Sequence, residues 1–127
     1  MKEFRTLIVD YSPVMRKIIE RTLRQAGIEP LVVHEAGSGI EGLDKLKAYE
    51  VDLILSDINM PNMDGLEFLR QIQAQNLAPG VPVMIISTES SEEYVKQAIQ
   101  AGARGYIRKP FTAEQLMERI LPLVNAA

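Results

Sequence analysis

Cysteine and tryptophan are missing from the 127 residues, and histidine occurs once, at His34. Without cysteine there is neither a disulfide nor a thiolate metal site. A lone imidazole cannot build a metal centre or complete a Ser-His-Asp triad, so His34 is expected to do no more than finish a strand. No apolar run approaches the length of a membrane-spanning helix, and Met1-Lys2-Glu3-Phe4-Arg5 leads directly into a strand pattern with no secretory signal, so a cytoplasmic protein without a membrane partner is expected. Positive charge is also in short supply. Fourteen Lys and Arg against seventeen Asp and Glu leave a net charge of -3, and the cations are scattered, which argues against nucleic acid as a partner. What is present is the balance of a globular chain, 46% hydrophobic and 24% charged, long enough to form one domain over residues 1–127 with a core of its own.

The pattern alternates. Arg5-Thr6-Leu7-Ile8-Val9 reads as a strand ending at Asp10. Ser12-Pro13 then looks like an N-cap with proline at the first helical position. That helix is predicted to run to about Ala26, with Val14, Ile18, Ile19 and Leu23 on its inner side and Gly27 as its stop. Leu31-Val32-Val33-His34 is a second strand, and Ser38-x-x-Glu41 a capping box opening a helix with Ile40, Leu43 and Leu46 inward. Leu53 to Leu55 is a buried third strand that ends in Ser56-Asp57-Ile58-Asn59-Met60-Pro61. Asp64-Gly65 opens a helix with Leu66, Leu69 and Ile72 inward, closed by the turn from Asn76 to Pro82. Val83-Met84-Ile85-Ile86 is a fourth strand ending in Ser87-Thr88-Glu89. Ser90-x-x-Glu93 caps a helix carrying Tyr94, Val95, Ala98 and Ile99, stopped at Gly102. Arg104 to Arg108 is a fifth strand closed by Lys109-Pro110, and Thr112-x-x-Gln115 caps a last helix with Leu116, Ile120, Leu121 and Val124 inward. Five strict βα repeats predict an α/β fold: a parallel, doubly wound sheet with right-handed crossovers and helices on both faces.

In such a sheet all carboxyl ends of the strands share one edge, where ligands bind. There the pattern collects Asp10, Asp57, Asn59, Ser87 and Lys109. Taken singly, each has a plainer reading: Asp10 as a helix cap, Ser87 likewise, Lys109 as a solvated lysine. Together they supply a carboxylate nucleophile, a second carboxylate suited to a hard cation such as Mg²⁺, a hydroxyl and an ammonium. That set suits phosphoryl transfer onto Asp57, giving an acyl phosphate.

On these residues the chain resembles a known family. Val9-Asp10, the run Ser56-Asp57-Ile58-Asn59-Met60-Pro61-Asn62-Met63-Asp64-Gly65, Ile86-Ser87-Thr88 and Gly105-Tyr106-Ile107-Arg108-Lys109-Pro110-Phe111 are similar to the receiver domain of bacterial two-component response regulators, in its single-domain, CheY-like form. The likeness covers essentially the whole chain. It implies the flavodoxin-like strand order 2-1-3-4-5, phosphorylation of Asp57 by a histidine kinase or phosphotransfer protein, and Mg²⁺ held by Asp10, Asp57 and the carbonyl of Asn59. It further implies phosphoryl binding by Ser87 and Lys109, a cis peptide before Pro110, and a switch in which Ser87 moves and Tyr106 follows. A partner face with Tyr94, Arg104 and Tyr106 would then read the state out to a downstream protein, in chemotaxis or another relay. Tyr106 alone could equally be an amphipathic edge-strand tyrosine.

One position departs from the family pattern. Two acids usually close the first strand, and here Asp10 is followed by Tyr11. A phenol is a poor ligand for a hard cation beside a carboxylate. Three consequences compete: weakened Mg²⁺ binding, a switch biased towards its active arrangement, or a phosphorylation-independent pseudo-receiver that serves only as an interaction module. Two other classes fare worse. A haloacid-dehalogenase phosphatase would need a second Asp where Asn59 stands, and a flavodoxin would need a Ser/Thr/Gly-rich loop where Tyr11-Ser12-Pro13-Val14-Met15-Arg16 stands.

Overall fold

A computed structural model describes residues 4–89 and 91–124. Five strands alternate with five helices: β1 (Arg5–Val9), α1 (Pro13–Gln25), β2 (Val32–Ala36), α2 (Gly39–Ala48), β3 (Leu53–Ser56), α3 (Gly65–Ala74), β4 (Val83–Ser87), α4 (Glu92–Gln100), β5 (Gly105–Arg108) and α5 (Ala113–Val124). All pairings are parallel and the order is β2-β1-β3-β4-β5. β1 therefore lies between β2 and β3, and the crossovers turn opposite ways on either side of it. This is the position at which doubly wound sheets open a crevice at their carboxyl edge.

The central strands look uniformly apolar because both faces are covered, yet their side chains still alternate with period two. Leu7, Val9, Ile54, Val83 and Ile85 join one core with α2, α3 and Ala98 of α4. Ile8, Leu53, Leu55, Met84, Ile86 and Ile107 join a second with Ile19, Leu23, Leu116 and Ile120 of α1 and α5. The sheet is thus a wall between two cores. Each of these fully buried aliphatic side chains contributes about 1.5–3 kcal/mol, and together they hold the strand ends in register.

The helix boundaries follow from caps. Ser12 accepts a hydrogen bond from the Met15 amide with Pro13 beginning α1, Ser38 accepts from Glu41 N, and Asp64 from Glu67 N. Thr112 and Gln115 bond reciprocally at the start of α5. Gly27 and Gly102 adopt φ of 81° and 113° just past α1 and α4, where the left-handed region suits glycine. The expected cap at Ser90 lies outside the described residues; the observed cap of α4 is Ser91, which accepts from Tyr94 N.

Several inward positions need correcting. Val14 and Ile18 are exposed, because the stripe that meets the sheet is Met15, Ile19 and Leu23, and at about 100° per residue Val14 and Ile18 point well away from it. Ile40 is exposed for the same reason, lying beside rather than on the stripe of Gly39, Gly42, Leu43 and Leu46. On α4 only Ala98 is buried, with Tyr94 and Ile99 exposed, and Leu121 of α5 is half-buried. β2 begins at Val32 and runs on to Ala36, leaving Leu31 exposed and placing His34 in mid-strand. The His34 ring stacks on Tyr49, with centroids 4.2 Å apart. Burial, aided by Lys45 and Arg5, holds the imidazole below the ordinary histidine range.

Candidate functional site

The carboxyl edge is built by four strand ends and the loops they release. β1 gives way to Asp10, whose backbone still follows the sheet: its N–H donates to Ala36 O at 3.0 Å. β3 gives way to Asp57, whose N–H donates to Val9 O at 2.9 Å. These two bonds bring the carboxylates side by side although 47 residues separate them in the chain. β5 gives way to Lys109, whose N–H donates to Ser87 O at 2.9 Å, and the peptide between Lys109 and Pro110 is cis.

The Lys109 ammonium closes the cluster. Its Nζ lies 2.7 Å from Asp10 Oδ2 and 3.1 Å from Asp57 Oδ2, and the three side chains are only 9%, 4% and 13% exposed. Two carboxylates brought to such range repel one another where water is scarce, and the Lys109 cation standing between them offsets that repulsion. The second oxygen of each is held by the backbone: Ser12 N donates to Asp10 Oδ1 at 2.9 Å, and Ile58 N to Asp57 Oδ1 at 2.7 Å. The N-cap of α1 is Ser12 and not Asp10; Asp10 holds the Ser12 amide ahead of the helix and meets Lys109 with its other oxygen.

Ser87 is fully buried at the end of β4, and its hydroxyl accepts from Glu89 N at 3.1 Å. Its hydrogen bonds thus run into the β4–α4 loop, while its backbone carbonyl holds Lys109. Tyr106 is half-buried on β5 and its phenol donates to the Glu89 carbonyl. Burial pushes the phenol above the ordinary tyrosine range, against the opposing pull of a hydrogen bond with Ser87, and the Glu89 charge adds to the rise. Ser87, Glu89 and Tyr106 form one polar chain beside the acidic pair. Tyr94 on α4 and Arg104 before β5 are both exposed. Asn59 sits exposed in the loop after β3. Tyr11 is turned to solvent, 66% exposed, so its ring does not fill the space beside Asp57.

Among the described residues no three carboxylate, imidazole or thiolate side chains are gathered in one place. A cation at this edge would draw on two carboxylates and complete its shell with carbonyl oxygen and water. Hard oxygen donors, few charges and several waters suit Mg²⁺, so the residues fit that ion.

Sequence reasoning missed the groups behind Asp10. Arg16 donates from Nε to Glu35 Oε1 at 2.9 Å and from Nη1 to the Asp10 carbonyl at 2.7 Å, and Lys17 Nζ lies 2.8 Å from Glu35 Oε2. Only the pairing of Ile8 with Glu35 between β1 and β2 puts these residues together, and no local spacing announces it.

Comparison with known proteins agrees with this architecture. The profile of the response regulator receiver domain family matches residues 6–121. Chemotaxis protein CheY-3 of Vibrio cholerae is 39% identical over 119 residues, which cover 94% of this chain and 90% of that protein. Among solved structures, V. cholerae CheY4 superimposes with a TM-score of 0.83 at 34% identity, covering 96% of this chain and 99% of that one. The CheX-CheY-BeF3-Mg complex from Borrelia burgdorferi gives 0.83 at 29% identity, covering 94% of this chain and 88% of that one. The chain belongs to the response regulator receiver domain family, whose members act in phosphorelay signalling. Receiver domains of this family generally bind Mg²⁺ for phosphorylation.

Proposed function

We propose that the chain is a single-domain, cytoplasmic response regulator that accepts a phosphoryl group on Asp57 from a histidine kinase or phosphotransfer protein and reports its state to a downstream protein. The observation that carries this reading is the Lys109 ammonium within 3.1 Å of Asp57 and 2.7 Å of Asp10, at the edge of the sheet where the family's chemistry is done. An Asp57 carboxylate oxygen attacks phosphorus, the P–N bond of the phosphohistidine breaks, and the departing imidazole nitrogen leaves with its electron pair and takes up a proton. Lys109 then exchanges its contact with Asp57 for one with a phosphoryl oxygen, and the Ser87 hydroxyl turns to a second. Attack by water on the acyl phosphate releases inorganic phosphate and restores the carboxylate, so the chain assists its own resetting without acting as an enzyme on other molecules.

Asp10, Asp57 and the Asn59 carbonyl would hold Mg²⁺, which supplies positive charge to the transferring group when bound. Ser87 is tied through Glu89 to Tyr106, so redirecting its hydroxyl to a phosphoryl oxygen loosens the loop against which the phenol is bonded. The face bearing Tyr94, Arg104 and Tyr106 then changes shape for a partner, in chemotaxis or another relay.

Incubation with acetyl phosphate and Mg²⁺ followed by intact mass measurement tests the reading. One phosphoryl group is expected on the wild type and none on Asp57→Asn. If neither protein gains mass, the chain is a phosphorylation-independent interaction module instead.

Tyr11 leaves the site one carboxylate short. Replacing it by aspartate is expected to lower the Mg²⁺ concentration for half-saturation about tenfold, ~1.4 kcal/mol, read from the fluorescence of the remaining tyrosines. An unchanged half-saturation would mean that Tyr11 does not limit metal binding.

A further inference from the structure

The β1–α1 loop has a weak point. The Asp10 N–H is tied to Ala36 O of β2, whereas its carbonyl, in a residue only 3% exposed, depends on a side chain for its hydrogen bond. An unpaired carbonyl there would cost about 1–3 kcal/mol and leave the peptide plane free to rotate, carrying the Asp10 carboxylate off Lys109. Arg16 supplies the missing donor. Its guanidinium reaches two acceptors, Asp10 O at 2.7 Å through Nη1 and Glu35 Oε1 at 2.9 Å through Nε, and the side chains of Arg16 and Glu35 are 17% and 27% exposed. Glu35 is itself fixed on β2, opposite Ile8 of β1, and Lys17 holds its other oxygen at 2.8 Å. The hydrogen bond from Lys17, with Arg16 adding to it, keeps the Glu35 carboxyl below the ordinary range against the effect of burial. The loop is thereby pinned to a charged anchor on the neighbouring strand, on the side away from Asp57.

We propose that Arg16, anchored by Glu35, is a positioning residue for the acidic site: it fixes the Asp10 peptide so that the Asp10 carboxylate points at Lys109 and at the place a cation would take. The inference rests on the phosphoacceptor reading above. It is specific to arginine, because a lysine ammonium on a flexible stem cannot span both acceptors in a fixed fork. Groups that orient a metal ligand from behind typically change affinity or activity about 10–100-fold when removed. In a site already short of one acid, the orientation of the remaining one carries more of the binding.

The test compares wild type, Arg16→Ala, Arg16→Lys, Glu35→Gln and Lys17→Ala. Mg²⁺ alone is titrated against tyrosine fluorescence, and Asp57 phosphorylation by acetyl phosphate is followed by mass in parallel. Arg16→Ala and Arg16→Lys are expected to raise the Mg²⁺ half-saturation about tenfold. Glu35→Gln should give an intermediate rise, since a neutral amide oxygen is a weaker anchor. Lys17→Ala, which frees the outer oxygen of Glu35 but leaves both Arg16 contacts in place, should shift the half-saturation less than Glu35→Gln. Thermal melts identify any variant that is unfolded, and Arg16→Lys then replaces Arg16→Ala in the comparison. Arg16 variants that melt lower yet keep the wild-type half-saturation would reduce Arg16 to a structural residue and overturn the proposal, as would a Lys17→Ala shift equal to that of Arg16→Ala. A wild type that takes up no phosphate would sink the phosphoacceptor reading itself and this inference with it, whereas phosphorylated wild type with indistinguishable Arg16 variants would sink the inference alone.

Discussion

Lys109→Ala is expected to slow phosphorylation of Asp57 by acetyl phosphate about 10²–10³-fold, the usual consequence of removing one preorganised donor from a site of developing negative charge. The ammonium is held in advance by two carboxylates and by the chain path from β5, so it pays little reorganisation when a phosphoryl group arrives. The same substitution should destabilise the protein by about 3 kcal/mol, because it strands two largely buried carboxylates beside each other without their shared cation. Initial rates of mass gain and urea midpoints measure the two effects. A variant that is phosphorylated at the wild-type rate would remove Lys109 from the chemistry, and an unchanged midpoint would show that the acidic pair is relieved by solvent.

Gly65→Ala is the second large effect, and it arises from backbone alone. The first residue of α3 donates from its N–H to Ile58 O at 2.8 Å, which presses the helix start against the loop that carries Asp57. A methyl group at Gly65 would collide with the carbonyl oxygen of Asp57 and lie 2.8 Å from Ile58 Cα. Neither atom can swing aside as a side chain would. The expected cost is ~3 kcal/mol in urea unfolding, together with slower phosphorylation, because relief of the clash must move Asp57 and Ile58 and so disturb the amide that donates to Asp57 Oδ1. Gly39 is the useful contrast: a methyl there meets Met63 Cγ at 2.7 Å, the middle of a flexible side chain, and Gly39→Ala should cost less. Equal losses at the two positions would show that backbone proximity at Gly65 is unimportant.

Much of the site was legible because its residues stand where patterns change. Asp10, Asp57, Ser87 and Lys109 each close a run of strand-forming residues, and five parallel strands can close only on one edge. Their convergence follows from periodicity and handedness, and the order of the strands came from the family likeness. The parts that were not legible depend on angle or register. The inward faces of α1 and α2 were drawn one position too wide at Val14, Ile18 and Ile40, because a stripe read from hydrophobic residues alone does not say which of them meet the sheet. A strand pattern that stops at His34 falls two residues short of the end of β2 at Ala36, since Glu35 does not look like strand, and Glu35 is one of the two acceptors of the Arg16 fork. On α4 the capping bond is accepted by Ser91, and because Tyr94 rather than Glu or Gln stands three residues later, no capping-box spacing marks that serine.

Phe4, just before β1, and Val124, ending α5, line one shallow depression together with Asp52 and Pro82. Both ends of the described fold therefore emerge at the amino side of the sheet, a strand's length or roughly 15 Å from Asp57. A reporter or affinity handle joined next to Phe4 or Val124 would leave the fold at the base of the sheet, keeping the approach to the acid open to a bulky phosphodonor.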